Sequence, residues 1–199
     1  MPRMQILTAA EQQAFDTPPV FSGTERETFF HVSDSLSNVL ATLRSPTNRV
    51  CLVLSVGYFR VAKRFFGVPF HQTDVVYVAH QLGYAPEQID LTTYDAKASA
   101  TRHRRLTLDY LGFRPFHDQA RQEIAHEIRT MVRSQLRPKA IFFQVLKLLE
   151  TRKTEIPSAY TLTELITHES QQHQHQLTHT IEAHLSPAHR ALLDALLDK

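Results

Sequence analysis

The sequence predicts an all-α fold of about eight to ten helices in an orthogonal bundle, with one helix-turn-helix-like element. Three observations predict it. Apolar residues recur at helical spacing through most of the chain, and no segment sustains the two-residue alternation of a half-buried strand. Helix-opening signals of the Ser/Thr-x-x-Glu kind punctuate the sequence. Five glycines and no tryptophan, among many Leu, Ala, Gln and His residues, favour helices over a loop-rich β fold.

The elements follow in order. Thr8 with Glu11 makes a capping box that opens a short helix toward Phe15, and Asp16 to Pro19 breaks it. Thr24 with Glu27 is a second box before FFHV, and Ser33 caps a helix running to about Leu43, where Ser45 and Pro46 end it. Asn48 to Phe66 reads as a long core helix. Val50, Leu54, Tyr58, Val61 and Phe65 share a face, and Leu52, Val53 and Val56 make its first half apolar nearly all round.

Val75 to Ile89, VVYVAHQLGYAPEQI, reads as a helix, a tight turn at Gly83 and a second helix opened by Pro86. Ala79 is small enough for two helices to approach closely. Leu82, Tyr84 and Ile89 are apolar where such a motif buries them. A helix set at that angle can enter the major groove of duplex DNA, whereas an ordinary helical corner has the same sequence signature.

Thr101 to Leu111 is the next helix, stopped by Gly112; Pro115 follows, and His117 or Asp118 opens another to about Leu136. Pro138 opens a helix striped by Ile141, Phe142, Val145, Leu148 and Leu149, and Pro157 closes that region. Thr161 with Glu164 makes a third box, starting a helix that carries Leu162, Leu165, Ile166, Leu177, Ile181 and Leu185. Ser186-Pro187 caps a last helix ending in ALLDALLDK. The polar stretch TTYDAKASAT suggests a division into residues 1–96 and 97–199.

At 199 residues, 42% hydrophobic and 21% charged, the chain is long enough for one large domain or two small ones and is not of disordered composition. Cys51 is a single cysteine inside the apolar run CLVLSV, as expected of a buried thiol in a reducing compartment. The N-terminus has no signal-like apolar core and the longest apolar run is too short to span a bilayer, so a cytoplasmic protein without membrane partners is expected.

The net charge of +2 is unevenly spread. Ser35 to Thr73 contains no acid but five bases: Arg44, Arg49, Arg60, Lys63 and Arg64. Ala96 to Lys153 holds thirteen bases against five acids, and Thr154 to Lys199 two against six. A basic body beside an acidic tail fits a polyanion-binding face; the alternative for any one arginine is solvated helix surface.

An ordered set of residues then points further. The opening MPR…ILT is followed by NRV…LVL…YFR and a VP, then by the helix ending QLGY. Tyr94, Thr101-Arg102 and LGFRPF at Leu111 to Phe116 continue the series. In this order they resemble the N-terminal region of replicative transposases of the Tn-three family, most strongly from Asn48 to Phe116. Val50-Cys51, Asp95-Ala96 and the run Thr101-Arg102-His103-Arg104-Arg105 depart from the family pattern. The resemblance implies a helical region that binds the transposon's terminal inverted repeats, with a metal-dependent catalytic core in another part of the transposase.

Under that reading, affinity comes from Lys and Arg on phosphates and specificity from groups reaching base edges. The expected DNA-binding residues are Lys97, Arg102, His103, Arg104 and Arg105 after the turn motif, and Arg60, Lys63 and Arg64 on one face of the preceding helix. Arg114 completes the basic set. Gln88 is the candidate base reader, since its amide can pair with adenine, although Glu87 and Asp90 flank it. Arg102 or Arg105 is the alternative reader, on guanine.

Other chemistries fit less well. In HESQQHQHQLTHTIEAH, His175 and His179 lie four apart and His168 one heptad earlier, so a shared zinc is conceivable. However, His168-Glu169 is followed by His173, five residues on, which is not the zincin spacing, and a polar helix face is expected instead. No glycine-rich phosphate loop and no nucleophile with a paired base is legible. The expectation is therefore a non-catalytic chain without cofactor, whose partners are double-stranded DNA at transposon ends and the transposase catalytic region or other protomers. The alternatives are a stand-alone helical DNA-binding regulator or accessory protein, and a protein-interaction module using the acidic, His-rich C-terminal helices.

Overall fold

A computed structural model of the chain describes residues 4–67, 70–94, 98–186 and 188–189. Among them are nine α-helices and no named strand. The helices are α1 (Ala9–Asp16), α2 (Gly23–Phe29), α3 (Asp34–Ala41), α4 (Pro46–Ala62), α5 (Gln72–Gln81), α6 (Ala98–Leu111), α7 (Asp118–Arg133), α8 (Pro138–Thr151) and α9 (Ala159–His184). The all-α expectation holds, and the helices pack as a bundle. The expected last helix falls almost wholly outside the described residues, as does Lys97.

Helix starts follow the capping chemistry, with shifts. Thr8 and Glu11 form the predicted box. At α2 the box is Ser22–Glu25, two residues earlier than Thr24–Glu27: Glu25 N donates to Ser22 Oγ, and Ser22 N donates to Glu25 Oε2 at 2.8 Å. The earlier start sets Phe29 and Phe30 against Phe21, at ring separations of 5.3 Å each. Ser45 caps α4 with Pro46 in its first turn, so this helix begins and ends a few residues before the predicted limits. α9 opens on Ser158, one turn before Thr161, which brings Ala159 into the core.

Two apolar cores organise the bundle. The first surrounds α4, whose residues Val50 to Leu54 are all buried, with α2, α5 and α6 packed on it. Burying one such side chain contributes roughly 1.5–3 kcal/mol, so α4 is the main source of cohesion in this half. Tyr58 sits at its centre among Phe21, Phe30 and Phe70, at ring separations of 5.7, 5.8 and 6.0 Å. Its hydroxyl donates to Asp74 Oδ2 at 2.7 Å, while Arg26 Nε donates to Asp74 Oδ1 at 2.6 Å, so the fully buried carboxylate has both oxygens satisfied.

The second core joins α7, α8 and the first half of α9 to Ile6, Leu7 and Phe15 at the N-terminal end. The two cores interleave along the chain. α6 packs against α4, while α1 packs against α9, so a cut at residue 96 separates α6 from its core and leaves α1 away from its own.

The helix-turn-helix expectation is corrected. α5 does end in the predicted Gly83 turn (φ +76°), with Tyr84 N donating to Ala79 O at 2.9 Å. No second helix follows; Pro86–Gln88 and Leu91–Thr93 are single 3-10 turns. Asp90 explains the break. Its carboxylate accepts from Thr92 N at 2.9 Å and from the Thr92 hydroxyl at 2.6 Å, an Asx turn that competes with helix, and Asp90 N is tied to Thr47 Oγ1.

Candidate nucleic-acid interface

α6 carries the most exposed part of the predicted basic set. Its inner face is His103, Thr107 and Leu108, all buried, which turns Arg102 and Arg105 outward one turn apart. Arg102 reaches Thr42 O at the end of α3 at 3.5 Å, and exposed Arg44 follows two residues further along the chain. Arg105 has no ion pair among the described residues. Arg102 and Arg105 therefore form an exposed cationic pair at the α3–α6 edge, with exposed Arg44 two residues beyond Thr42 in the chain and Asp109 one turn beyond Arg105 on α6. Arg44 lies outside the predicted set; the acid-free run around it is the legible signal.

The other predicted residues are deployed differently. Arg60 donates to Phe29 O at 2.7 Å and His31 O at 3.0 Å, closing the α2–α3 connection onto α4. Lys63 is the left-handed C-cap of α4 (φ +55°), and its ammonium donates to Arg60 O. Arg64, only 7% exposed, donates to Phe15 O at 2.8 Å and Asp16 Oδ1 at 2.9 Å, with its guanidinium 4.1 Å from the Phe15 ring centre. These three do not form one free face: Arg64, just past the end of α4, turns inward onto the C-terminal end of α1.

Arg104 leaves α6 on the other side and pairs with the buried carboxylate of Glu155 through Nε and one terminal nitrogen. Arg114 is held by Glu123, with Nε on Thr154 Oγ1 at 2.8 Å, beside a backbone bridge between Arg114 and Thr154. Gln88 is exposed, but its Oε1 accepts from Ala85 N at 3.0 Å, and no recognition helix carries it. His103 is 2% exposed and lies against Tyr94, Nδ1 being 3.0 Å from the phenol oxygen. Burial, then the nearby Arg102 charge, lowers its pKa to about 4, so the ring is neutral and internal at neutral pH.

The residue pairs that are closed this way meet between the two cores. Ile156 N donates to Lys63 O, Glu155 N to Arg114 O, and Phe113 packs edge-on against Phe59 at 5.1 Å. Two clefts open here, sharing Phe65 and Arg104 as a common wall. One of about 370 Å³ has Phe65, Phe66, Phe70 and Tyr94 in its walls beside Ser55, Ala100 and Thr101, and one of about 430 Å³ includes Arg64, Arg121 and His117. Residue-by-residue sequence reading misses both, because their walls come from segments far apart in the chain.

Residues 6–168 match the model of a protein family described as a domain of unknown function, DUF4158. The chain belongs to that family. The comparison with curated proteins finds no match. The matched region of the DUF4158 chain ends where α9 leaves the core: Glu169 is the last buried residue of that helix, held by Arg129 at 3.2 Å. Beyond it Leu177 and Ile181 stand 49% and 56% exposed.

Among the described residues, no three His, Cys, Asp or Glu side chains gather as a metal cluster, so His168, His175 and His179 do not meet as one. Burial pushes the Cys51 thiol up to about 12, which removes it as a nucleophile at neutral pH. No helix among the described residues is long and apolar enough to cross a membrane.

Proposed function

We propose that this DUF4158 chain binds duplex DNA, as the part of a replicative transposase that recognises the transposon's terminal inverted repeats. The observation that carries the reading is the exposed Arg102–Arg105 pair on α6, which Arg102 ties to the end of α3 two residues before exposed Arg44. Such a surface gains affinity by releasing counterions from phosphates. The resemblance of the Asn48 to Phe116 series to Tn-three family transposases gives the DNA its identity. On this reading the chain is not itself catalytic, and its further partners are the catalytic region or other protomers.

Absence of a helix after Gly83 moves base reading from Gln88 to α6, where Arg102 or Arg105 would meet guanine in the major groove. An anisotropy titration on the transposon-end repeat and on a scrambled duplex, at several salt concentrations, tests the reading. A preference for the true end that survives moderate salt supports it. Equal, steeply salt-sensitive binding to both duplexes removes end recognition.

A second reading is favoured by the exposed Leu177 and Ile181, one turn apart on the half of α9 that leaves the core. That face suits a protein partner, and partner binding without salt-dependent DNA affinity would favour it.

A further inference from the structure

The paired clefts at the Phe65–Arg104 wall have complementary chemistries. The first has Phe65, Phe66, Phe70 and Tyr94 in its walls, and its volume of about 370 Å³ is within the range of small-molecule sites. Phe70 and Tyr94 are buried, so half-buried Phe65 and Phe66 supply its open ring surface. Planar apolar walls accept a flat aromatic ligand by stacking. The adjoining cleft brings guanidinium groups: Arg64 forms part of its lining, with Nε buried and without a hydrogen-bond partner, and Arg121 stands exposed on the first turn of α7.

Arg104 belongs to both clefts. Its guanidinium lies 5.9 Å from the Phe65 ring centre, and Glu155 holds it through Nε and one terminal nitrogen, leaving the other terminal nitrogen without a partner among the described residues. Glu155 therefore acts as a positioning residue that fixes a half-exposed arginine at the boundary of aromatic and basic surface. Asp118 and Glu155 are the carboxylates that line the basic cleft. They disfavour a naked polyanion there.

We propose that the paired clefts bind one unpaired nucleotide of a DNA strand, its base stacked in the aromatic cleft and its phosphate on Arg104 and Arg121. The assignment deepens the DNA-binding reading and rests on it. It adds a base-stacking site separate from the cationic edge on the other side of α6. Single-strand binding of this kind combines stacking on aromatic side chains with arginine contacts to the backbone.

The test compares a labelled short oligothymidylate with an abasic oligomer of equal length, using the whole chain, Phe65→Leu and Arg104→Gln. The oligothymidylate should bind the native chain more tightly than the abasic oligomer. Both substitutions should weaken it by about tenfold, with Phe65→Leu leaving the abasic oligomer unaffected. Arg121→Gln, at an exposed position with no ion pair among the described residues, should weaken both oligomers and keeps the test available if either substitution perturbs folding by circular dichroism.

Equal affinity for the two oligomers, or unchanged affinity in both variants, overturns the proposal. So does thymidine monophosphate competing as strongly as the oligomer, which would make the ligand a free nucleotide. If the transposon-end duplex is still preferred in any of these cases, only the cleft assignment falls. Base-dependent binding lost in the variants, without preference for the end, leaves the cleft standing and removes end recognition.

Discussion

His103 is neutral in the folded chain because Tyr94 and the α6–α4 interface exclude water from it and Arg102 is close by. The folded pKa, about 4, lies below the ordinary value of 6.5. The unfolded chain therefore binds more protons between those values, and stability rises with pH across that window. The contribution is fully present above about pH 6.5 and is lost as pH falls toward 4, at about 1.4 kcal/mol for each tenfold difference in proton affinity between the folded and unfolded chain. Urea unfolding at pH 7 and pH 5 should show the loss, and His103→Gln should flatten it. At the same scale, Asp74→Ala leaves the buried Tyr58 hydroxyl without its acceptor and part-exposed Arg26 with Thr73 Oγ1 alone; about 1–3 kcal/mol of destabilisation is expected, read as a fall in the urea midpoint. Neither residue announces itself in the sequence. His103 looks like part of a basic cluster when linear neighbours are read together, whereas helical geometry turns it opposite to Arg102 and Arg105.

Helices and their faces are largely legible, because apolar spacing and capping residues are local signals. α1, α3, α6 and α8 begin or end close to where Thr8, Ser33, Gly112 and Pro138 place them. The miss after Gly83 comes from competition: Pro86 permits a helix start, but the Asp90–Thr92 turn takes the backbone donors that a helix needs. The capping shifts at Ser22 and Ser158 are set by which start places Phe29, Phe30 and Ala159 in the cores, a tertiary effect. Gly57 tests the element packing. An added Cβ would stand 2.2 Å from Phe30 Cδ1 and 3.2 Å from Phe29 O, where α2 crosses α4. Overpacking of about 1–3 kcal/mol should exceed the helix-propensity gain of about 1 kcal/mol, so Gly57→Ala is expected to lower the melting temperature. Gly23→Ala, with nothing within 4 Å, should leave it unchanged or raise it.

Across the whole molecule, the two cores are tied by Arg64 to Asp16, by Ile156 to Lys63 and by Glu155 to Arg104 and Arg114. These links are illegible in the sequence because each joins residues about forty or more positions apart, beyond what periodicity reports. They also consume much of the basic surplus: Arg64, Arg104, Arg114, Arg129 and Arg152 all have carboxylate partners. A fragment of residues 1–96 lacks the Leu106, Tyr110 and Leu111 side chains of the first core and should give a broad, weakly cooperative melt, against one sharp transition for the full chain. Two independent sharp transitions in the full chain would contradict that coupling.

The central claim is that DNA is held by the α3–α6 edge, and the salt dependence of binding tests it most directly. Affinity for the transposon-end duplex should be measured from low to moderate salt for the native chain and for the Arg44→Gln, Arg102→Gln, Arg105→Gln triple variant. A phosphate-binding edge predicts weaker binding by the variant and a shallower slope of log affinity against log salt, by about one for each phosphate no longer neutralised. The fold should be retained, since none of the three is buried. Identical slopes and affinities for the two proteins would contradict the account.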